Sequence, residues 1–343
     1  LRQLKLGNKK SFLAGDLTLN YYFGEYLDLI TNQNVDFFDN RNEKIDEFAH
    51  PVIKKKIAEN DFDFFATHLL RIDHMGHAYG LLSSEVAEAI KDIEQYILEI
   101  IELIDDDTIL VLGGDHGMTL DGNHGGASPE ETNTAFIAYH KKGFMKYRLD
   151  NNTSVKRVMR SVNETEAQVR QVDIVPTLAM LAGVPVPYSS MGSILNDLYP
   201  VGDYYPSASC KDGGFEVQMV RDNHLTSLQI WNYFEKYQHE LHIFPKQEYL
   251  RIKNLAKEEQ QSFKVAQDMI DKSQQCEKSF PEITAKAILK SQEFSNQVYQ
   301  LVNDTVPYDM GIFAQGFALL ILVALAYILT VQYIYKTKDY NRI

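Results

Sequence analysis

Short apolar runs alternate along the first half of the chain with segments whose apolar residues recur at helical spacing. Phe62 to Leu69 reads as a buried strand, and Thr108 to Leu112 is a second apolar run, halted by Gly113-Gly114. Thr134 to Tyr139 gives a third, and Lys10 to Ala14 a short one ended by Gly15-Asp16. Between the first two, Val86, Ile90, Ile93, Ile97, Ile101 and Ile104 recur every three or four positions, which predicts an amphipathic helix with Ser84 available as its N-cap. Asp173 is placed to cap a further helix running to Leu181, with Pro176 in its first turn and Gly183 ending it. Strand, helix, strand at this spacing predicts an α/β class, with right-handed crossovers and a parallel sheet flanked by helices on both faces.

The pattern changes after residue 187. From Pro187 to Gly214 the text is rich in Pro, Gly, Ser and Tyr and reads as a linker. From Phe215 to Val302 it is rich in Gln, Glu and Lys, has apolar residues at helical spacing and contains no glycine, which predicts a helical hairpin or bundle. No charged residue occurs from Met310 to Tyr335, a stretch long enough to cross a bilayer core of about 30 Å as a helix. The expected division is therefore 1-200 as the α/β domain, 201-305 as a helical juxtamembrane segment, 310-335 as a transmembrane helix and 336-343 as a cytosolic tail. Asp304 and Asp309 precede the span, whereas Lys336, Lys338 and Arg342 follow it. The positive-inside rule then puts residues 1 to about 305 on the lumenal or external side. Sequons at Asn151, Asn152, Asn163 and Asn303 agree with a lumenal glycoprotein. The opening from Leu1 to Ser11 is charged and polar, without a signal-peptide pattern, which leads us to expect a piece of a longer protein.

Composition narrows the partners. A formal net charge of -13 argues against nucleic acid, whose phosphates would be repelled. Two cysteines, Cys210 and Cys276, are too few for a thiolate zinc site or a disulfide framework. The candidate chemistry lies instead in Asp and His. Arg71-Ile-Asp73-His74-Met-Gly-His77 follows the first strand, and Gly114-Asp115-His116-Gly117-Met118 follows the second, with His124 in the Gly-rich loop beyond. Ligands of open parallel sheets bind beyond the carboxyl ends of the strands, so both clusters are expected at one sheet edge. Carboxylate and imidazole are the zinc ligands available without thiolate. Asp73, His77, Asp115, His116 and His124 offer more groups than one zinc uses, and suit two metals with vacancies. His50, His68 and His140 default to structural roles, as does Asp16 in its turn.

The residues Ile72-Asp-His-Met-Gly-His77, Asp105-Asp-Asp-Thr-Ile-Leu-Val111 running into Gly114-Asp-His-Gly-Met118, and Gln171-Val-Asp-Ile-Val-Pro-Thr-Leu-Ala-Met-Leu-Ala-Gly-Val-Pro-Val-Pro187 resemble the GPI ethanolamine phosphate transferases of the alkaline phosphatase superfamily. Within that group the likeness is greatest to the branch acting on the third mannose of the GPI core. The resemblance implies an alkaline-phosphatase-like fold, an endoplasmic reticulum membrane location with a lumenal catalytic domain, and two zinc ions. One zinc would be held by Asp73, His77 and His124, the other by Asp115 and His116 together with an Asp and a nucleophilic Thr. Neither Asp16 nor Thr18 matches the motif for those last two, so the Thr nucleophile is expected upstream and no catalytic residue is assigned in this chain. The implied reaction passes phosphoethanolamine from phosphatidylethanolamine, through a covalent enzyme intermediate, to a mannose hydroxyl of the GPI precursor. A small membrane-protein partner subunit is also compatible with it. The alternatives are a phosphodiesterase of the same superfamily, in which water replaces the sugar, and a non-catalytic membrane subunit that keeps the fold.

Overall fold

A computed structural model describes residues 1–15, 21–28, 30–31, 43–144, 168–200, 214–305, 318–323 and 327 of the chain. Its first half contains α1 (Arg2–Leu6), β1 (Ser11–Gly15), β2 (Ile30–Thr31), α2 (Glu43–Glu59), β3 (Phe64–Thr67), α3 (Arg71–Tyr79), α4 (Ser84–Leu103), β4 (Leu110–Gly113), α5 (Pro129–Thr132) and β5 (Phe136–Tyr139). The second half contains α6 (Gln171–Leu181), α7 (Gly214–Leu241), α8 (Lys246–Asp271) and α9 (Phe280–Thr305).

The apolar runs do form strands, but in two small sheets rather than one parallel sheet. β1 is flanked by β2 and β3, both parallel to it, with Ser11 opposite Phe64 and Ala14 opposite Thr67. β4 and β5 pair antiparallel, Leu110 opposite Tyr139 and Gly113 opposite Phe136. The expected all-parallel arrangement is corrected here. Between β4 and β5 the only described helix is the four-residue α5, too short to serve as the helical crossover of a parallel pair. Both sheets nevertheless share a core. Ala14, Ala49, Ile53, Ile100 and Ile104 are buried together, with Phe65 of β3, Leu110 of β4 and Tyr139 of β5 packed against them.

Helix ends differ from expectation by local chemistry. The N-cap of α4 is Ser83, whose hydroxyl accepts from Val86 N (3.3 Å), so Ser84 is the first helical residue instead. The buried stripe of α4 is Val86, Ala89, Ile93 and Ile100, which leaves Ile90 exposed. Asp173 does not cap α6 but lies buried in its first turn. Both its carboxylate oxygens receive Arg170 (2.8 and 3.0 Å), and one also accepts from Ser193 N at 2.7 Å.

Helices α7, α8 and α9 pack as a bundle around Ile230, Phe234, Ile252, Phe294 and Val298. One polar seam ties all three. His224 Nδ1 of α7 lies 2.8 Å from Glu259 Oε1 of α8, which accepts from Ser291 Oγ of α9 at 2.8 Å, while Phe263 stacks on the imidazole. Cys276, between α8 and α9, is disulfide-bonded. Among the described residues no helix is long and apolar enough to cross a membrane. Most of 310–335, all of 336–343, and Asn151, Asn152, Asn163, Asp16 and Thr18 lie outside the described residues.

Candidate metal centre

The centre is assembled from the two connections that leave β3 and β4. α3 begins four residues after β3 and carries Asp73 and His77 one turn apart on one face. Its start is fixed from a distance. The carboxylate of Asp46, on α2, accepts from Leu70 N (2.9 Å) and Arg71 N (3.3 Å), doing the work of a cap that Leu70 cannot do. Burial pushes the Asp46 carboxyl above its usual range, although those two N–H groups pull the other way. A carboxyl raised in the folded state binds its proton more tightly there than in the unfolded chain. Its contribution to stability is therefore fullest below the ordinary carboxylate range and declines as pH rises through the raised value. Asp46→Asn is expected to flatten that decline in urea unfolding measured from pH 4 upward.

After β4 the chain turns sharply. Gly117 N donates to Glu131 O (2.8 Å), and a Cβ on Gly117 would collide with the carbonyls of Glu130 and Asn133. His116 Nδ1 faces Gly117 O at 3.0 Å, which directs its Nε2 away from the backbone. The next loop is held by its own polar groups. Thr119 Oγ1 donates to Asp121 (2.6 Å) and accepts from Asn123 N (3.1 Å), and Asn123 Nδ2 reaches Asp121 at 2.8 Å. Leu81 N donates to Leu120 O (3.1 Å), docking this loop on the end of α3. Gly122 makes the closest approach: its φ is +82°, and any Cβ there would strike the Gly76 carbonyl. Gly122→Ala is expected to lower stability by about 1–3 kcal/mol and to weaken metal binding, read by thermal unfolding and by titration. Beyond His124, Gly126 N donates to Glu131 Oε1 (2.8 Å) within the Ser128–Glu131 capping box of α5. The hydrogen bonds from Ser128 and Gly126 hold the Glu131 carboxyl below its usual range.

These constraints bring three sequence-predicted ligands face to face. His124 Nε2 lies 3.1 Å from His77 Nε2 and 3.4 Å from Asp73 Oδ1, and His77 Nε2 lies 3.5 Å from Asp73 Oδ2. Tetrahedral ligands about 2.0–2.1 Å from a zinc ion stand roughly 3.3 Å from one another, and each of these pairwise separations is of that order, although His77 and His124 face different oxygens of Asp73. Asp73 Oδ1 is buried without a hydrogen-bond donor, as a ligand oxygen awaiting a cation would be. His116 joins from the other side. One ligand atom each from Asp73, His116 and His124 fall within 4.8 Å, and the His116 and His124 rings stack with centroids 3.8 Å apart. Asp115 is the most exposed of the five, with Oδ2 3.6 Å from His116 Nε2. Its carbonyl accepts from Gln171 Nε2 of α6 at 2.7 Å.

The two sequence clusters therefore meet, though from strands of two different sheets rather than at one edge of a single sheet. Asp46, Glu131 and Gln171 were not foreseen as supports of the centre, because each reaches it from a remote or merely capping position. His140 keeps a structural contact, Nδ1 to Gly143 O (3.1 Å), and His50 stacks on Tyr96 at 4.0 Å.

Residues 14–170 match the type I phosphodiesterase / nucleotide pyrophosphatase family. The chain is 34% identical over 207 residues to GPI ethanolamine phosphate transferase 3 of Eremothecium gossypii, covering 58% of this chain and 20% of that protein. It is 32% identical to the enzyme of the same name from Schizosaccharomyces pombe, covering 62% and 22% of the respective chains. GPI ethanolamine phosphate transferase 2 of Kluyveromyces lactis is 31% identical, with 64% and 30% covered. The chain thus spans about a fifth to a third of the length of these curated relatives. No solved structure matches it.

Proposed function

We propose, on the premise that this chain belongs with the GPI ethanolamine phosphate transferases of the alkaline phosphatase superfamily, that it forms the metal-binding part of an enzyme moving phosphoethanolamine from phosphatidylethanolamine to a GPI-precursor mannose. The third mannose is the favoured acceptor, since the transferases numbered 3 are among the most similar relatives. The observation that carries the reading is the convergence of imidazole and carboxylate: His124 beside the buried Asp73 Oδ1 and beside His77, His77 beside Asp73 Oδ2, and His116 within reach of Asp73 and His124.

Zinc suits this set of imidazole and carboxylate donors. On this reading Asp73, His77 and His124 hold one ion and Asp115 and His116 contribute to the other. A nucleophilic Thr and a further Asp come from sequence outside these 343 residues. Such bound metal would supply Lewis-acid stabilisation of the charge that develops on the phosphodiester. The chain's own part is to place the donors. The Asp46 cap fixes the register of α3, the Gly122–Gly76 contact fixes His124 against His77, and Gln171 holds the Asp115 carbonyl. Membrane attachment through 310–335 would bring the centre to two lipid substrates, with residues before the span in the endoplasmic reticulum lumen. The disulfide at Cys276 supports an oxidising compartment. A small membrane-protein subunit is part of the same proposal.

Full-length protein in sealed microsomes, given radiolabelled phosphatidylethanolamine, is expected to label a GPI precursor. His124→Ala is expected to cut that transfer at least roughly 10²-fold. Label recovered only as water-soluble phosphoethanolamine would replace this reading with the hydrolytic one that the matched family's description favours.

A further inference from the structure

An apolar cavity of about 400 Å³ opens between α6, the strap at 187–191 and the last turns of α9. Val172 and Val175 of α6, Met191, and Tyr299, Val302 and Asn303 of α9 line it. None of the lining residues is charged. Arg170 and Asp173, beside Val172, satisfy each other through two hydrogen bonds, while the Arg170 guanidinium covers one face of Tyr299 at 4.4 Å. An ionic ligand therefore gains little inside, whereas a hydrocarbon gains the whole apolar wall.

Two positions relate this cavity to the rest of the molecule. Its lining includes Val172, next to the Gln171 whose amide holds the Asp115 carbonyl of the metal centre. Val302 and Asn303, which also line it, lie in the last turn of α9, a few residues before the uncharged stretch from Met310 to Tyr335. Through α6 the cavity is thus joined in the chain to the metal centre, and through α9 to the uncharged stretch.

We propose that this cavity receives one alkyl chain of an amphiphile whose phosphate lies at the metal centre. The proposal rests on the reading of the donor as a lipid phosphodiester. It assigns the α6–α9 cavity as the hydrocarbon subsite, and it makes Val175 and Val302 determinants of selection between lipid and water-soluble phosphodiesters.

The sole tryptophan supplies a readout independent of catalysis. Trp231 packs against the same core cluster as Met191, which lines the cavity. Lysophosphatidylethanolamine brominated on its alkyl chain is titrated into the full chain in lipid nanodiscs, and Trp231 fluorescence is followed. Saturable quenching is expected, with glycerophosphoethanolamine, which has the head group and no tail, competing only at much higher concentration than the tailed probe. Val175→Phe and Val302→Phe fill the cavity from α6 and from α9, and each is expected to weaken the probe roughly tenfold. Circular dichroism and melting show which variant keeps its fold, and one that does is sufficient. Quenching that never saturates, or that both folded variants leave unchanged, would overturn the proposal. So would sedimentation of a dimer that the Phe variants dissociate, since a second copy would then be the occupant. Saturable quenching in a full-length protein that transfers no phosphoethanolamine would keep the cavity assignment and remove the proposed function.

Discussion

Asp73→Ala in the full-length protein, on the function proposed above, is expected to remove close to one zinc equivalent and to abolish measurable phosphoethanolamine transfer. Asp73 faces both His77 and His124, through its two different oxygens, at 3.5 and 3.4 Å. Its loss leaves two imidazoles of opposed ring nitrogens with no anion between them, and a cation there would lack its only negative ligand. Because Asp73, His116 and His124 also share ligand atoms within 4.8 Å, the second ion should bind more weakly as well. Elemental analysis at matched protein concentration reads the first effect, and competition with a chromophoric chelator reads the second. Asp73→Asn keeps the shape without the charge, so metal loss in both variants with an unchanged melting curve assigns the effect to coordination.

Asp173→Ala is expected to destabilise the fold by about 2–4 kcal/mol. The carboxylate is buried, receives Arg170 twice and accepts from Ser193 N, so truncation strands a guanidinium and a buried backbone donor. The figure sits at the lower part of the range for broken buried pairs because the Arg170 side chain remains 31% exposed. Ser193 Oγ continues the network to Asn296 of α9 at 3.3 Å, so the loss should also loosen α6 from the bundle. Urea unfolding followed separately in the far ultraviolet and by Trp231 fluorescence would show one transition in the wild type and two in the variant.

Much of the candidate centre was legible because its spacing is local. Asp73 and His77 stand four residues apart on a helix, and Asp115-His116-Gly117 follows a strand halted by two glycines. Neither feature needs distant information to be read. The helical character of 215–302 was equally legible from its periodicity, and it resolved into three helices packed on Ile230, Phe234 and Phe294. What escaped was contributed from far along the chain. Asp46 caps α3 from 24 positions away, and Gln171 reaches Asp115 from 56 away, distances at which spacing carries no signal. The direction of β5 escaped for another reason. Thr134 to Tyr139 reads as a strand in either orientation, and only the lack of a long helix among the described residues before it could have marked the pair as antiparallel. The choice between Ser83 and Ser84 turned on which of two adjacent hydroxyls reached Val86 N, which a sequence of two serines cannot decide.

The central claim is a mixed imidazole–carboxylate zinc centre built on Asp73, His77 and His124. X-ray absorption at the zinc edge of the purified protein addresses it most directly. The account predicts a shell of nitrogen and oxygen ligands at about 2.0–2.1 Å with outer-shell imidazole scattering, diminished in His124→Ala, and no sulfur at about 2.3 Å. Protein that binds no zinc, a sulfur shell, or a spectrum that His124→Ala leaves unchanged would contradict it.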